Sequence, residues 1–193
     1  MADSHEADAA AMLRLRGGDD LALNDIMHRW QQPLTNYLAR LCGNEATALD
    51  LAQETFVRVY EARSRYDARG KFATWLYTIA GNLARNSRRW QQRHPAVSLD
   101  APVDENGTTL ATQLPDSAPT PAATAEQRER TAAVRAAIAE LPEDQRAIVI
   151  LSEYEDRSQA DIAAVLKCTV KAVETRLYRA RQSLRERLTR WMK

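Results

Sequence analysis

SQADIAAVLKCTVKAVETRLYRARQSLRERL, residues 158–188, carries two helical patterns around a three-residue turn. The spacing predicts one helix over Ser158–Leu166 and a second from Val170 to about Trp191, separated by Lys167-Cys168-Thr169. Ser158 followed three residues later by Asp161 matches a capping box, and Thr169 is placed to cap the second helix. Val173, Leu177, Ala180, Leu184 and Leu188 recur at intervals of three and four and form its buried side. The other side presents Lys171, Glu174, Thr175, Tyr178 and Arg179, flanked by Arg176, Arg181 and Arg185. Two helices on so short a turn read as a helix-turn-helix. Short polar side chains near the start of the second helix suit base edges, and arginines further along suit phosphates. A carboxylate on such a surface repels phosphate. Glu174 therefore either accepts from a cytosine amino group or pairs within its own helix with Lys171 or Tyr178.

Upstream, an Ala-rich helical stretch from about Glu126 stops at Leu141-Pro142. Another covers about Glu143–Tyr154 and contains the apolar run 147–151. Before these, five of the seven prolines fall between Pro95 and Pro121, in a segment without sustained helical period. That segment reads as an extended linker. The first half has its own helical patterns. One runs over about Leu21–Leu41, where Pro33 is expected to kink it or start a new turn, and ends at Gly43-Asn44. A second covers about Ala46–Arg65, with Leu49, Ala52, Phe56 and Val59 expected on its apolar side. Asp50, Gln53, Glu54, Arg58 and Glu61 lie on the polar side. A third covers about Phe72–Arg93. Its apolar stripe is Phe72, Trp75, Leu76, Ile79, Ala80 and Leu83. Its opposite face carries Thr78, Asn82, Arg85, Asn86, Arg89 and Arg93. Asn suits base edges and Arg suits phosphates or base stacking. Trp75, in the stripe, is expected in the core. Trp90 stands open between core packing and stacking on a base.

Of 193 residues, 45% are hydrophobic and 27% charged, as in ordinary soluble globular proteins. The net charge is +1, but it is unevenly spread. Residues 69–93 hold six basic and no acidic side chains, and residues 167–193 hold nine basic and two acidic. Residues 96–125 hold four acidic and no basic side chains. Two separated basic segments on either side of an acidic tether point to two contacts with a polyanion. No apolar run approaches the ~20 residues of a membrane span. The acidic start lacks the order of a signal peptide. The expectation is a cytoplasmic protein without direct membrane insertion. Cys42 and Cys168 are far apart, without a CxxC, and are expected as small hydrophobes. His5, His28 and His94 are scattered. There is no HExxH, Walker loop, GxGxxG or GxSxG, so neither enzyme, metal nor cofactor is expected.

Four segments carry a family resemblance. They are DLAQETFVRVY (50–60), FATWLYTIAGN (72–82), LPEDQR (141–146) and VKAVETRLYRAR (170–181), in that order around the acidic linker. Together they resemble bacterial RNA polymerase sigma factors of the extracytoplasmic-function group, over roughly residues 20–94 and 126–190. The resemblance implies an all-α fold of two small helical domains joined by an acidic Pro-rich linker, the second containing the helix-turn-helix. It divides the chain into a region 2-like domain (20–94), a flexible acidic linker (95–125) and a region 4-like domain (126–193). It implies core polymerase as partner, through the coiled coil of its largest subunit and the flap region of the second-largest. Asp50, Gln53, Glu54 and Arg58 would bind that coiled coil. Tyr66, Asp67, Arg69 and Lys71 in the loop, with Asn82, Arg85, Asn86 and Arg89, would bind the minus-ten element and assist melting; Arg88 would join in holding the backbone. Lys171, Glu174, Thr175, Arg176, Tyr178, Arg179 and Arg181 would bind the minus-thirty-five element. Control by a separate anti-sigma factor is a further family expectation. Many members have Gly at the position of Lys171 and a basic residue at that of Glu174, so promoter sequence does not transfer.

The residues alone also admit two other classes. An ordinary helix-turn-helix regulator would use its first half for dimerisation or ligand binding, but a ligand domain has no use for the basic face around Asn82 and Asn86. A helical enzyme acting on nucleic acid would need clustered acid-base or metal-binding side chains, which the sequence does not offer.

Overall fold

The computed structural model describes residues 2–94 and 121–191; the linker segment 95–120 lies outside the described residues. Among the described residues the regular structure is helical. In chain order the helices are α1 (Ala2–Arg16), α2 (Ala22–Cys42), α3 (Glu45–Glu61), α4 (Phe72–Arg93), α5 (Pro121–Ala139), α6 (Glu143–Glu153), α7 (Gln159–Leu166) and α8 (Val170–Arg187). Short 3-10 turns follow α3 and α8.

Local chemistry sets most of these limits. α2 ends at Gly43, whose left-handed backbone (φ 73°) lets its amide donate to the Ala39 carbonyl at 2.9 Å. Asn44 then caps α3, accepting from the Thr47 amide at 2.8 Å. Ser158 Oγ accepts from the Asp161 amide at 3.1 Å, and Thr169 Oγ1 from the Ala172 amide at 3.2 Å. Both expected caps of the helix-turn-helix are therefore present. Between them Lys167 takes a left-handed conformation (φ 52°), turning the chain sharply with a residue other than glycine.

Several boundaries differ from the sequence expectation. α2 runs unbroken through Pro33, which starts no new turn. The missing amide removes one helix bond, while Trp30, Leu34, Tyr37 and Leu38 are buried on both sides and hold the helix in place. α5 begins at Pro121, earlier than Glu126; proline is well suited to a first helical position, where its absent N–H has no partner to lose. α8 stops at Arg187 and the chain continues as the turn Thr189–Trp191. α1 has no counterpart in the sequence reading. It packs on α2, burying Ala11, Met12 and Leu15, and its Asp8, 2% exposed, binds Arg29 Nε at 2.8 Å. On α3, Leu51 is buried, whereas Leu49 and Val57 are exposed at 45% and 49%. The expected apolar position Leu49 thus faces outward.

The two halves pack against each other, α4 on α7 and α2 on α6. Beside the expected stripe, which includes Ala80, α4 also buries Ala73, Ala84 and Tyr77. Tyr77 is fully buried where the two halves meet. Its ring lies edge-on to Trp30 (6.0 Å) and Tyr37 (4.9 Å). Its hydroxyl donates to Glu155 Oε2 in the second half at 2.5 Å. Arg146, 9% exposed, donates to the carbonyls of Leu41, Leu141 and Ala139, tying α6 both to α2 and to the end of α5. Arg40 lies over the Tyr154 ring at 4.3 Å.

Two consequences can be measured. Replacing Arg146 with Met strips buried carbonyls of a charged donor and should destabilise the protein by about 2–4 kcal/mol. Unfolding in denaturant gives the value; a loss below about 0.5 kcal/mol would show that these bonds are not needed. The second concerns Glu155, whose neighbours are Tyr77, Arg40, Arg157 and Asp156. Burial raises its carboxyl above the ordinary value, outweighing the Tyr77 hydrogen bond and the two arginines. The folded chain therefore favours the protonated form, and this contribution fades as pH rises through the raised value. Glu155→Gln keeps an acceptor for Tyr77 and cannot ionise. Its melting temperature should gain on that of the unchanged protein as pH rises above the ordinary carboxylate range; parallel curves would refute the shift.

Candidate nucleic-acid interface

α8 lies on α6 and α7 through Val173, Leu177 and Ala180, which turns its remaining face outward. Lys171, Glu174, Thr175, Tyr178, Arg179 and Arg181 are all exposed there, Tyr178 at 71%. Arg176 is half-buried and pairs with Asp144 of α6 at 3.2 Å. Arg181 pairs with Glu153 of the same helix at 2.7 Å. These pairs aim two guanidinium groups along the rim of the helix while its centre stays open. Glu174 contacts Lys171 Nζ at 3.4 Å, the intrahelical pairing that the sequence left as one of two readings. Thr175 donates to the Lys171 carbonyl at 2.9 Å.

The second surface belongs to α4 and the loop before it. Tyr66 departs from the expectation of a nucleic-acid contact. It is 4% exposed and packs against Phe72 and Trp75, so it anchors the loop from beneath. Above it, Asp67 receives Arg69 Nε and Nη2 at 3.0 and 2.8 Å and the Arg69 amide at 3.0 Å. These bonds hold the Asp67 carboxyl down at about 2, so it is ionised at any physiological pH. The loop is thus internally braced and exposed. Trp75 is half-buried against the core, as expected for its stripe.

Asn82, Asn86 and Arg89 are exposed on one side of α4. Asn82 accepts from Arg85 at 3.1 Å. Trp90 is 62% exposed and stacks on His94, with ring centroids 4.9 Å apart, which places it outside the core among the described residues. Three cations of this basic stretch reach the second half. Lys71 binds Asp161 at 2.8 Å, and Arg85 and Arg88 share Glu143 at 3.6 and 3.4 Å.

A third exposed surface lies on α3. Asp50, Gln53 and Arg58 are exposed and Glu54 is half-buried; Arg58 binds Glu54 at 2.7 Å and Glu61 at 3.4 Å. Leu49 and Val57 stand beside them, making a mixed apolar and charged face suited to a protein partner rather than to nucleic acid. The sequence reading missed these two apolar members, and it also missed Tyr77, Glu155 and Glu143. The spacing of Ala73, Tyr77 and Ala84 was the available signal for the rest of the buried face of α4. No signal short of the fold itself pairs Tyr77 with Glu155. Among the described residues no cluster of three or more His, Cys, Asp or Glu side chains fits a metal ion, and no helix is long and apolar enough to cross a membrane. Cys42 and Cys168 are both free and half-buried.

Comparison with known proteins places these surfaces in context. The sigma-70 region 2 family model matches residues 26–94, and the sigma-70 region 4 model matches residues 131–184. The ECF RNA polymerase sigma factor SigW of Bacillus subtilis is 31% identical over 176 residues, 91% of this chain and 93% of that protein. The ECF RNA polymerase sigma-E factor of Escherichia coli K12 is 32% identical over 178 residues, 92% of each. Two solved structures share the fold. CnrH in complex with the cytosolic domain of CnrY superposes with a TM-score of 0.69 at 24% identity, covering 95% of this chain and 97% of that one. The sigma factor RpoE in complex with the anti-sigma factor NepR from Bartonella quintana gives 0.66 at 21% identity, covering 88% and 98%.

If the rim arginines of α8 grip phosphates, Arg176→Ala and Arg181→Ala should each weaken duplex binding about equally for all sequences. Each should lower the slope of affinity against salt by about 1. Titrations over a salt series measure this, and an unchanged slope would remove the residue from the interface.

Proposed function

Because the chain belongs to the sigma-70 family, within its extracytoplasmic-function group, we propose that it binds core RNA polymerase, directs it to specific promoters and assists promoter melting. The observation that carries this reading is the pair of separated basic surfaces, α4 with its loop and α8 with its rim arginines, on one chain. A DNA-binding regulator that dimerises through its first half needs only the second of them.

The working division is 20–94 for polymerase and the minus-ten element, 95–125 as tether, and 126–193 for the minus-thirty-five element. In the first unit Asp50, Gln53, Glu54 and Arg58 meet the coiled coil of the polymerase's largest subunit, with Leu49 and Val57 supplying apolar area. A charged face with a small apolar centre is well suited to a coiled coil, whose outer positions are charged. Asp67, Arg69 and Lys71 hold an unstacked non-template base and its backbone. Asn82 and Asn86 offer side-chain amides to base edges, and Arg85, Arg88 and Arg89 take phosphates. Tyr66 contributes from below by fixing the loop. In the last unit α8 enters the major groove. Lys171, Glu174, Thr175 and Tyr178 face bases, while Arg176, Arg179 and Arg181 hold the backbone. The second unit also meets the polymerase flap.

All of this is binding, orientation and strand capture. The chain acts as an initiation factor and not as a catalyst, works in the cytoplasm beside the polymerase, and is controlled by a separate anti-sigma factor. Strand opening follows from capture: a base held out of the stack stabilises the melted form by the affinity of its pocket.

Co-purification with bacterial core polymerase, followed by transcription from a promoter library, tests the reading directly. Stable one-to-one binding with initiation at a defined set of promoters is expected. Duplex binding by the chain alone, without polymerase binding, would overturn it. Within that assay Asn82→Ala should lower promoter opening while polymerase binding is retained. Glu174→Ala should alter preference at one or two base positions of the upstream element; an unchanged preference would leave Glu174 only its pairing with Lys171.

A further inference from the structure

We infer that Trp90, backed by the His94 ring, is a stacking platform for an unpaired base of single-stranded DNA, one step beyond Asn82 and Asn86 on the same ridge of α4. The identity of the ligand rests on the functional reading above, while the platform itself stands on the geometry.

α4 carries one unit three times. Asn82 is followed three residues later by Arg85, Asn86 by Arg89, and Trp90 by Arg93. Residues four apart on a helix form a continuous ridge, with successive members about 6 Å apart along the axis. Asn82, Asn86 and Trp90 make one such ridge, ending on His94 at the helix C-cap, and Arg85, Arg89 and Arg93 make the next. The two ridges touch, since Asn82 accepts from Arg85 at 3.1 Å. In the first two units an amide able to meet a base edge stands beside a cation able to meet a phosphate. The third unit keeps the cation and replaces the amide with an indole, whose flat face suits any base.

Trp90 is no part of the core. It is 62% exposed, and the side chains packed about the core include Trp75 of the same helix but not Trp90. His94 is its one aromatic partner among the described residues, nearly parallel at 24° with ring centroids 4.9 Å apart. The imidazole is itself tethered. The His94 amide donates to the Trp90 carbonyl at 2.9 Å, and Nδ1 lies 3.1 Å from the same oxygen. A carbonyl oxygen only accepts, so Nδ1 carries the proton in that bond. One indole face is thus covered by a ring that the chain holds in place, and the other is open. A ring already positioned loses little side-chain freedom when a base arrives.

Charge decides the occupant. Residues 69–93 hold six cations and no acid. Arg85 and Arg88 meet Glu143, whereas Arg89 and Arg93 are exposed and in no ion pair among the described residues. Two unneutralised guanidinium groups beside an open indole face match a polyanion that carries flat rings. A duplex keeps its bases stacked on one another, so the ring takes its base from a single strand.

The test uses the full chain and two probes of equal length and charge, a short oligothymidylate and an abasic strand with the same sugar-phosphate backbone. Fluorescence anisotropy at low salt gives both affinities. The unchanged chain should prefer the thymidylate. Trp90→Ala should lower affinity for the thymidylate roughly tenfold and leave that for the abasic strand unchanged. Trp90→Phe keeps a flat ring and should retain most of the preference. His94→Ala removes the backing ring and should cost several-fold on the thymidylate alone, with His94→Phe restoring it. Arg93→Ala should weaken both strands alike, as a phosphate contact does. An unchanged chain without preference, or a Trp90→Ala form that weakens on both strands equally or on neither, would overturn the platform. Loss of polymerase co-purification in Trp90→Ala with the strand preference intact would assign the ring to a protein surface and overturn it as well. Co-purification of the unchanged chain with core polymerase is scored separately. Strand preference without polymerase binding would reject the sigma role and leave the platform standing; polymerase binding without strand preference would do the reverse.

Discussion

The wide buried face of α4 is the constraint on which the arrangement depends. An amphipathic helix in a small domain normally buries one stripe and gives the rest to water. α4 buries more than that. Phe72 and Leu76 are buried in the core, and so are Ala73, Tyr77, Ala80 and Ala84, with the Tyr77 ring on Trp30 and Tyr37 and its hydroxyl on Glu155 of the second half. Each half is a small set of helices with limited apolar area, and a chain of that size has little stability to spare. Packing α4 on α7 adds buried surface, and the buried alanines of α4 cost no side-chain entropy, because alanine has no rotamers to lose. Tyr77 is the one large ring buried beside them. Its hydroxyl then needs a buried partner, and Glu155 is that partner.

The same helix has to offer a basic, acid-free face to nucleic acid. A face of that kind repels itself and is uncomfortable in a compact chain. The structure answers with acids drawn from the second half and not from α4, so the basic stretch itself stays free of acids. Acids placed on α4 itself would weaken every later phosphate contact. Within the second half the logic repeats. Arg176 and Arg181 on α8 are paired by Asp144 and Glu153 on α6, not by neighbours along α8. Glu174 is the exception, and its partner Lys171 is the residue most free to leave it, with a side chain 86% exposed.

Periodicity and capping made most of the fold legible. The helix-turn-helix follows from Ser158, Asp161 and Thr169 alone, since each cap hydrogen bond is local. α4 was legible as a helix and as a basic face, because both are properties of one segment. Leu49 was misplaced because α3 carries apolar residues on more than one side, and only the packing of Leu51 against the core decides which is inner. Tyr66 was expected at the minus-ten element through the resemblance, and the loop sequence carries no local mark of its burial; its ring is taken in by Phe72 and Trp75 across the turn. α1 was missed although Asp8, Met12 and Leu15 share a helical face. Its buried acid breaks the apolar pattern, and the compensating Arg29 lies on another helix.

Contacts between the halves were illegible for a deeper reason. Glu143, Asp161 and Glu155 sit at helix ends or turns, where acids are ordinary for purely local reasons. Glu143 and Asp161 serve the helix starts whether or not a cation approaches.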